Sequence, residues 1–244
     1  MTAISGEWGW EVRSMKKIFS LTNIAIAVSV IAFLFGLLVF FSPNIGQHLI
    51  KSKASKEISI SHVEMQKNLN KKGEFIPEDV RPLTTTELLA NQFSKADLPG
   101  IGIISIPDIN LELPVFNGIT YETMMYGAGT AKPNQQMGKG NYALASHTIF
   151  NSFNGSIITN LLFGNLIYAQ TGQNIYLTDK DRVYEYKIDT IYKVNVSQGN
   201  IIEDHDDKKE ITLYTCTSLS GDERLVVHGL LIKIMHYESR NYGV

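Results

Sequence analysis

Hydrophobic patterning divides the chain into three parts. From Leu21 to Phe41 no charged residue occurs, and an apolar run of about 20 residues is long enough to cross a hydrocarbon core of roughly 30 Å as a helix. This predicts a transmembrane signal anchor over 21–41 behind a short tail over 1–20. A cleaved leader fits less well, because the run exceeds the usual length of about 7 to 15 residues, and the following Ser42-Pro-Asn-Ile-Gly-Gln47 lacks a small-residue cleavage site. Residues 42–80 are rich in Lys, Ser and Asn and read as a stalk, with Pro77 and Pro82 interrupting any long helix. Thr84-Thr-Thr86 supplies an N-cap for a short amphipathic helix over 86–93, with Glu87 in the first turn, where the helix dipole favours an acid.

The remainder, 81–244, has the punctuation of an all-β domain. Strands are predicted over 101–106, 111–116, 141–146, 174–178, 183–196, 211–216 and 225–234, separated by Pro-Asp, Asn-Gly and Asp-Lys-Asp breaks. Short strands closed by loops point to a barrel or a sandwich, with one helical turn accommodated over 159–163.

Charge adds a direction and excludes a partner. Lys and Arg number 22 against 24 Asp and Glu, so the basic footprint of a nucleic-acid binder is absent. Arg13, Lys16 and Lys17 precede the apolar run and Lys51, Lys53 and Lys56 follow it. The first group lies closer, which orients the N-terminus to the cytoplasm and the β-domain to the exterior. Met15-Lys-Lys17 is a natural alternative start.

The candidate chemistry centres on the single cysteine, which excludes an internal disulfide. Ile211 to Cys216 and Arg224 to Gly229 both alternate with the period of a strand. If the seven residues 217–223 form a hairpin loop, Cys216 and Arg224 face each other at its mouth, with Cβ atoms roughly 4.5 to 5.5 Å apart. Arg is a permanent cation with a planar donor fork, suited to a thiolate or to the oxyanion of acyl transfer. A buried structural Cys beside a surface Arg fits the residue types equally well.

A nucleophilic thiol needs a base or cation nearby. His48 and His62 fall in the stalk, His236 beyond the last strand and His205 in the polar run Glu203–Asp207. In the hairpin register His228 pairs with Thr212, roughly 13 Å down the strand from Cys216. His147 ends the apolar run Tyr142–Ser146 and begins a loop, a common position for catalytic groups, but spacing alone does not bring it to Cys216.

These segments resemble the sortases, class A in particular. Thr212-Leu-Tyr-Thr-Cys216 matches the family's TLxTC signature. Ala143-Leu-Ala-Ser-His-Thr148 resembles the segment carrying its catalytic His, and Arg224-Leu-Val-Val-His-Gly229 the Arg-bearing strand. Ile106-Pro107, Leu113-Pro-Val115, Gly127-Ala-Gly129 and Asn174–Asp179 match further landmarks, and the likeness covers about residues 80–234.

The resemblance implies an eight-stranded β-barrel with short helices outside a Gram-positive cell membrane, behind one transmembrane helix. It implies a cysteine transpeptidase acting on surface proteins with LPxTG sorting signals. Cys216 would attack the Thr carbonyl of the Thr–Gly bond, His147 would act as general acid and base, and Arg224 would hold the oxyanion. Ala145, Ser146, Thr212 and Thr215 would line the substrate groove, and an amine of a lipid II-type peptidoglycan precursor would accept the acyl group. Some class A members bind calcium through acids before the catalytic His. Here 129–141 holds Lys132 and Lys139 and no Asp or Glu, so neither a metal nor another cofactor is expected, and Glu203–Asp207 reads as a solvated loop. Two rivals remain. A sortase of another class, such as a pilin polymerase, would be favoured by a second apolar segment that Glu238–Val244 does not supply. In a non-catalytic, membrane-tethered β-domain binding envelope components, the thiol and guanidinium would be incidental.

Overall fold

The computed structural model describes residues 21–91 and 98–238, with some side chains between 21 and 91 left aside. The 1–20 tail, the Met15 start and the end of the helix expected to reach Phe93 lie outside the described residues. The chain forms two compact units, 1–41 and 42–244. In the first, helix α1 (Leu21–Ile58) begins, and Ile24, Phe33, Phe35 and Phe40 are exposed on it. Among the described residues no helix is long and apolar enough to cross a membrane, although several side chains of the uncharged run 21–41 are not among them.

The second unit starts with the C-terminal part of α1. The stretch expected as a stalk is folded against the domain: Ile50, Ala54, Met65 and Val80 are all buried. Its few apolar residues dock, and its lysines and serines stay outside. Ile50 and Ala54 stand four apart on one face of α1. Lys180 Nζ donates at 2.7 Å to the carbonyls of both Ile58 and Ile60, satisfying acceptors that a helix end leaves open. Helix α2 (His62–Leu69), capped by Ser61, and strand β1 (Glu74–Phe75) follow. Next come β2 (Leu83–Thr84) and α3 (Thr85–Asn91). Thr84 and Glu87 form a reciprocal cap. The Glu87 amide donates to Thr84 Oγ1 at 3.3 Å, and the Thr84 amide donates to Glu87 Oε2 at 2.9 Å.

Then come β3 (Gly100–Ile106), β4 (Leu111–Phe116), β5 (Gly118–Ile119), α4 (Tyr121–Tyr126), β6 (Ala128–Thr130), β7 (Gly140–Ala145) and β8 (Ile149–Phe150). After a 3-10 segment over Leu162–Tyr168 the chain continues as β9 (Asn174–Thr178), β10 (Arg182–Asn195), β11 (Lys209–Cys216) and β12 (Glu223–His236). Eight strands close a barrel in the order β10-β12-β11-β7-β6-β4-β3-β9, while β1 pairs with β5 and β2 with β8 outside it. The long β10–β12 ladder shifts register between Glu185 and Tyr186 and between Ile188 and Thr190, the bulges a long strand uses to curl. Strand β6 escapes sequence reading because three residues carry no period, and it is the stave that joins β4 to β7.

Alternation along the wall sets what faces where. Leu144, Leu213 and Val227 belong to the main core. Ala143, Ala145, Tyr214 and Val226 belong to a second cluster with Val80, against which Ile201 and Ile202 pack. The two sets are the two faces of β7, β11 and β12, so these strands are covered on both sides.

Candidate active site

Strand β11 pairs with β12 antiparallel and puts Cys216 opposite Arg224 and Thr212 opposite His228, the register expected from the sequence. Strand β11 also runs parallel to β7, with Leu213 beside Leu144 and Tyr214 beside Ala145. Cys216 and His147 therefore each lie two residues beyond the last parallel pair. By parity Cys216 follows Tyr214, His147 follows Ala145 and Arg224 precedes Val226. All three belong to the set facing the second cluster, at one end of three adjacent strands.

Backbone contacts seat His147 from both sides. Its amide donates to the Met124 carbonyl of α4 at 3.4 Å, and the Phe163 amide donates to its carbonyl at 3.3 Å. The Tyr121 ring meets the imidazole edge-on, with centroids 5.2 Å apart.

Residues 77–84 cross over this end of the wall as a strap that begins with a 3-10 turn over Pro77–Asp79 and ends in strand β2. The Val80 carbonyl accepts from Arg224 Nη2 at 3.1 Å and from the Cys216 thiol at 3.7 Å. The Arg81 carbonyl lies 2.8 Å from His147 Nδ1, and the Tyr121 carbonyl lies 3.3 Å from Nε2. The shorter contact assigns the proton of a neutral ring to Nδ1. Cys216 and His147 are 2 % and 1 % exposed, so both titrations move. Burial pushes the His147 pKa down to about 4, partly opposed by the Arg81 and Tyr121 carbonyls. Burial pushes the thiol up, with the Arg224 cation opposing it. Both shifts favour the uncharged forms, the thiol and the neutral imidazole.

Arg224 also lies over the Tyr214 ring, 5.7 Å from its centroid, while its buried Nε has no hydrogen-bond partner. Beside it is a cleft of about 440 Å³ whose apolar wall is Val80, Val196, Ile201, Ile202 and Tyr214. A larger cleft of about 750 Å³ between α1 and the β3–β4 turn contains none of the candidate catalytic residues.

Of the expected groove residues, Ala145, Ser146, Thr212 and Thr215 are at most 1 % exposed, and none lines the 440 Å³ cleft. They are buried between the strands that carry the site. Ser146 Oγ donates to the Gly127 carbonyl at 2.6 Å, Thr215 Oγ1 to the Ser146 carbonyl at 2.7 Å and Thr212 Oγ1 to Asn141 Oδ1 at 2.8 Å. Their polar atoms are spent holding β7 to its neighbours. Sequence reading missed Val80, Arg81, Tyr121 and Tyr214. The available signal was Pro82, which biases Arg81 toward an extended backbone.

His228 and His205 serve the wall. His228 Nδ1 is 2.7 Å from Asp189, and His205 Nδ1 is 2.7 Å from the buried Glu210. Asp204, in the acidic run, accepts from Lys132 Nζ at 2.6 Å and from the Asn141 amide at 2.7 Å. Among the described residues no group of three or more His, Cys, Asp or Glu is placed to hold a metal ion.

A thiol facing a guanidinium on adjacent strands, with a histidine ending the next strand, suits acyl transfer through a thioester. The model of the Sortase domain family matches residues 104–232. A sortase A of Streptococcus agalactiae is 35 % identical over 237 residues, covering 96 % of this chain and 95 % of its own. A sortase A of Bacillus anthracis is 41 % identical over 133 residues, covering 54 % of this chain and 60 % of its own. Among solved structures, Listeria monocytogenes sortase A shares 30 % identity with a TM-score of 0.52, covering 57 % of this chain and 92 % of that one. The matched segment contains Cys216, His147 and Arg224, and the chain belongs to the sortase family of cysteine transpeptidases.

Proposed function

We propose that Cys216, His147 and Arg224 form the catalytic set of a membrane-anchored class A sortase acting on LPxTG-bearing surface proteins. The observation that carries the reading is the pairing of Cys216 with Arg224 around one carbonyl oxygen, that of Val80. A carbonyl held there has a nucleophile at its carbon and a cationic donor at its oxygen, the two requirements of acyl transfer.

In the forward step the Cys216 thiol gives its proton to His147, its sulfur attacks the Thr carbonyl carbon, and the C–N bond to Gly breaks. The departing amine takes its proton from His147, and Arg224 stabilises the oxyanion between. In the second step an amine of a peptidoglycan precursor attacks the thioester, gives a proton to His147 and releases the thiolate. The 440 Å³ cleft supplies an apolar wall for the Leu and Pro of the signal. The uncharged run 21–41, with Ile24, Phe33, Phe35 and Phe40 exposed, supports a single-pass anchor that keeps the enzyme beside a lipid-linked acceptor. Calcium is not required in this reading, because Lys132 already supplies the cation for Asp204.

The test incubates the protein with LPxTG peptides and candidate amines and identifies products by mass spectrometry. Thr–amine ligation products that vanish in Cys216→Ala are expected. Turnover retained in Cys216→Ala overturns the assignment.

A further inference from the structure

We propose that the cleft of about 750 Å³ between the C-terminal part of α1 and the β3–β4 turn is a saccharide site, taking a short uncharged oligosaccharide of N-acetylated amino sugars. It stands apart from the acyl chemistry, since none of Cys216, His147 and Arg224 lines it. Side-chain amides dominate its polar part: Asn110, Asn160, Asn165, Gln170 and Gln173 all line it, with the carboxylates of Asp108 and Glu112. An amide offers donors and an acceptor on one planar group, which neighbouring sugar hydroxyls can meet in pairs, and a carboxylate accepts from a hydroxyl. Tyr168, 56 % exposed, belongs to the same lining. Its apolar ring suits the C–H face of a pyranose while its hydroxyl stays in water. The apolar part of the lining is Ile50, Ala54, Leu111, Leu113, Leu161 and Leu162, all buried, a place for acetyl methyl groups.

The walls are fastened before any ligand arrives. Asn165 Nδ2 donates to the Ile109 carbonyl at 2.7 Å, tying the 3-10 segment Leu162–Tyr168 to the β3–β4 turn. Gln173 Oε1 accepts from the Gln170 amide at 2.9 Å, which fixes that side chain and leaves its Nε2 to donate. Desolvation alone pushes the Glu112 pKa up, with no cation or donor opposing it, and a sugar hydroxyl supplies the missing donor. Charge and polarity narrow the ligand further. One lysine, Lys51, stands against two acids in the lining, which disfavours a phosphate or another polyanion. A wholly apolar ligand would strip water from five amides without replacing their hydrogen bonds. A neutral polyol with acetyl groups meets both parts of the lining, and the volume lies within the range of about 300 to 1,000 Å³ usual for ligand sites. The segment Leu162–Tyr168 also sends the Phe163 amide to the His147 carbonyl, so the cleft and the candidate active site share a wall.

The experiment places the full chain in sugar-free lipid nanodiscs and titrates tri-N-acetylchitotriose by calorimetry, with cellotriose as the control that lacks acetyl groups. Saturable binding of the first is expected. Tyr168→Ala should weaken it about two- to tenfold, the effect of one aromatic contact. Glu112→Gln should weaken it about fivefold, the difference between a charged and a neutral acceptor, and both variants should cleave LPxTG peptide like wild type. Absent binding, equal binding of cellotriose, or a wild-type dissociation constant in both variants overturns the proposal. A measurement on the wild type covers loss of folding in a variant: the sugar should slow hydrogen exchange in peptides covering 108–112 and 160–173, and protection elsewhere alone overturns the proposal. Two sources of such sugars are then separated in Glu112→Gln. If the glycan belongs to the amine acceptor, KM rises for a disaccharide-linked peptide amine and not for the same peptide without sugar. If it is a finished wall strand, both KM values stay and cosedimentation with protein-free wall glycan falls; no change in either overturns the proposal. The acceptor arm rests on the sortase reading, whereas sugar binding needs no turnover. Binding without ligation of any amine therefore defeats that reading and keeps the cleft.

Discussion

Cys216 and Arg224 stand directly opposite each other on β11 and β12, and both donate to one oxygen, the Val80 carbonyl. In the proposed reaction the guanidinium would meet the oxyanion from that place, and it also opposes the rise that burial imposes on the thiol pKa.

Arg224→Ala is expected to lower kcat by about 10²- to 10³-fold, the usual effect of removing one oxyanion donor. Arg224→Lys restores charge without the planar fork and recovers only part of the loss. Single-turnover acylation with an LPxTG peptide checks both, and a wild-type rate in Arg224→Ala would remove Arg224 from the chemistry.

His147 makes stability pH-dependent. Its pKa is lowered from 6.5 to about 4 by burial, so between these values the unfolded chain takes up a proton that the folded chain refuses. Stability is fully present above the higher value and falls as pH drops toward the lower one, by on the order of 3 kcal/mol in all. Urea midpoints at neutral and acidic pH are expected to show this slope in the wild type and its loss in His147→Asn.

Lys132→Ala is expected to raise KM for the peptide roughly two- to fivefold and leave kcat unchanged. Asp204 would keep its Asn141 amide but lose the 2.6 Å partner that lowers its pKa, loosening the loop that presents Ile201 and Ile202. Chelator added to the wild type should do nothing, and abolition of activity by EDTA would count against the metal-free reading.

Thr212→Val is expected to lower unfolding free energy by about 1 to 3 kcal/mol, because the buried Asn141 Oδ1 loses its donor. The same Asn141 holds the carbonyls of Ile201 and Glu203 at 3.1 Å, so KM should rise with it. Thr212→Ser, which keeps the hydroxyl, should restore both in chemical denaturation and steady-state assays.

The hairpin was legible because period-two alternation fixes both the facing residues and the excluded ones. The same register that set Cys216 against Arg224 removed His228. His147 was not legible from spacing, because its place depends on a parallel β7–β11 pairing between segments some 70 residues apart. Local pattern carries no information about such pairing. The burial of the residues expected in the groove was not legible for a related reason. Ala145, Ser146, Thr212 and Thr215 adjoin the site in sequence, yet their hydroxyls and small side chains are used up between strands. Residues 42–80 looked like a stalk because polar composition outweighs a few well-spaced apolar positions, and those positions decide docking.

The strap acts through main-chain oxygens, which every residue possesses. What positions 80 and 81 contribute to the site is therefore written in the path of the backbone, set by Asp79, Pro82 and Glu87. A survey of substitutions there would report tolerance to changes of the side chain and intolerance to changes of contour, such as a proline at 81 or a deletion of one residue.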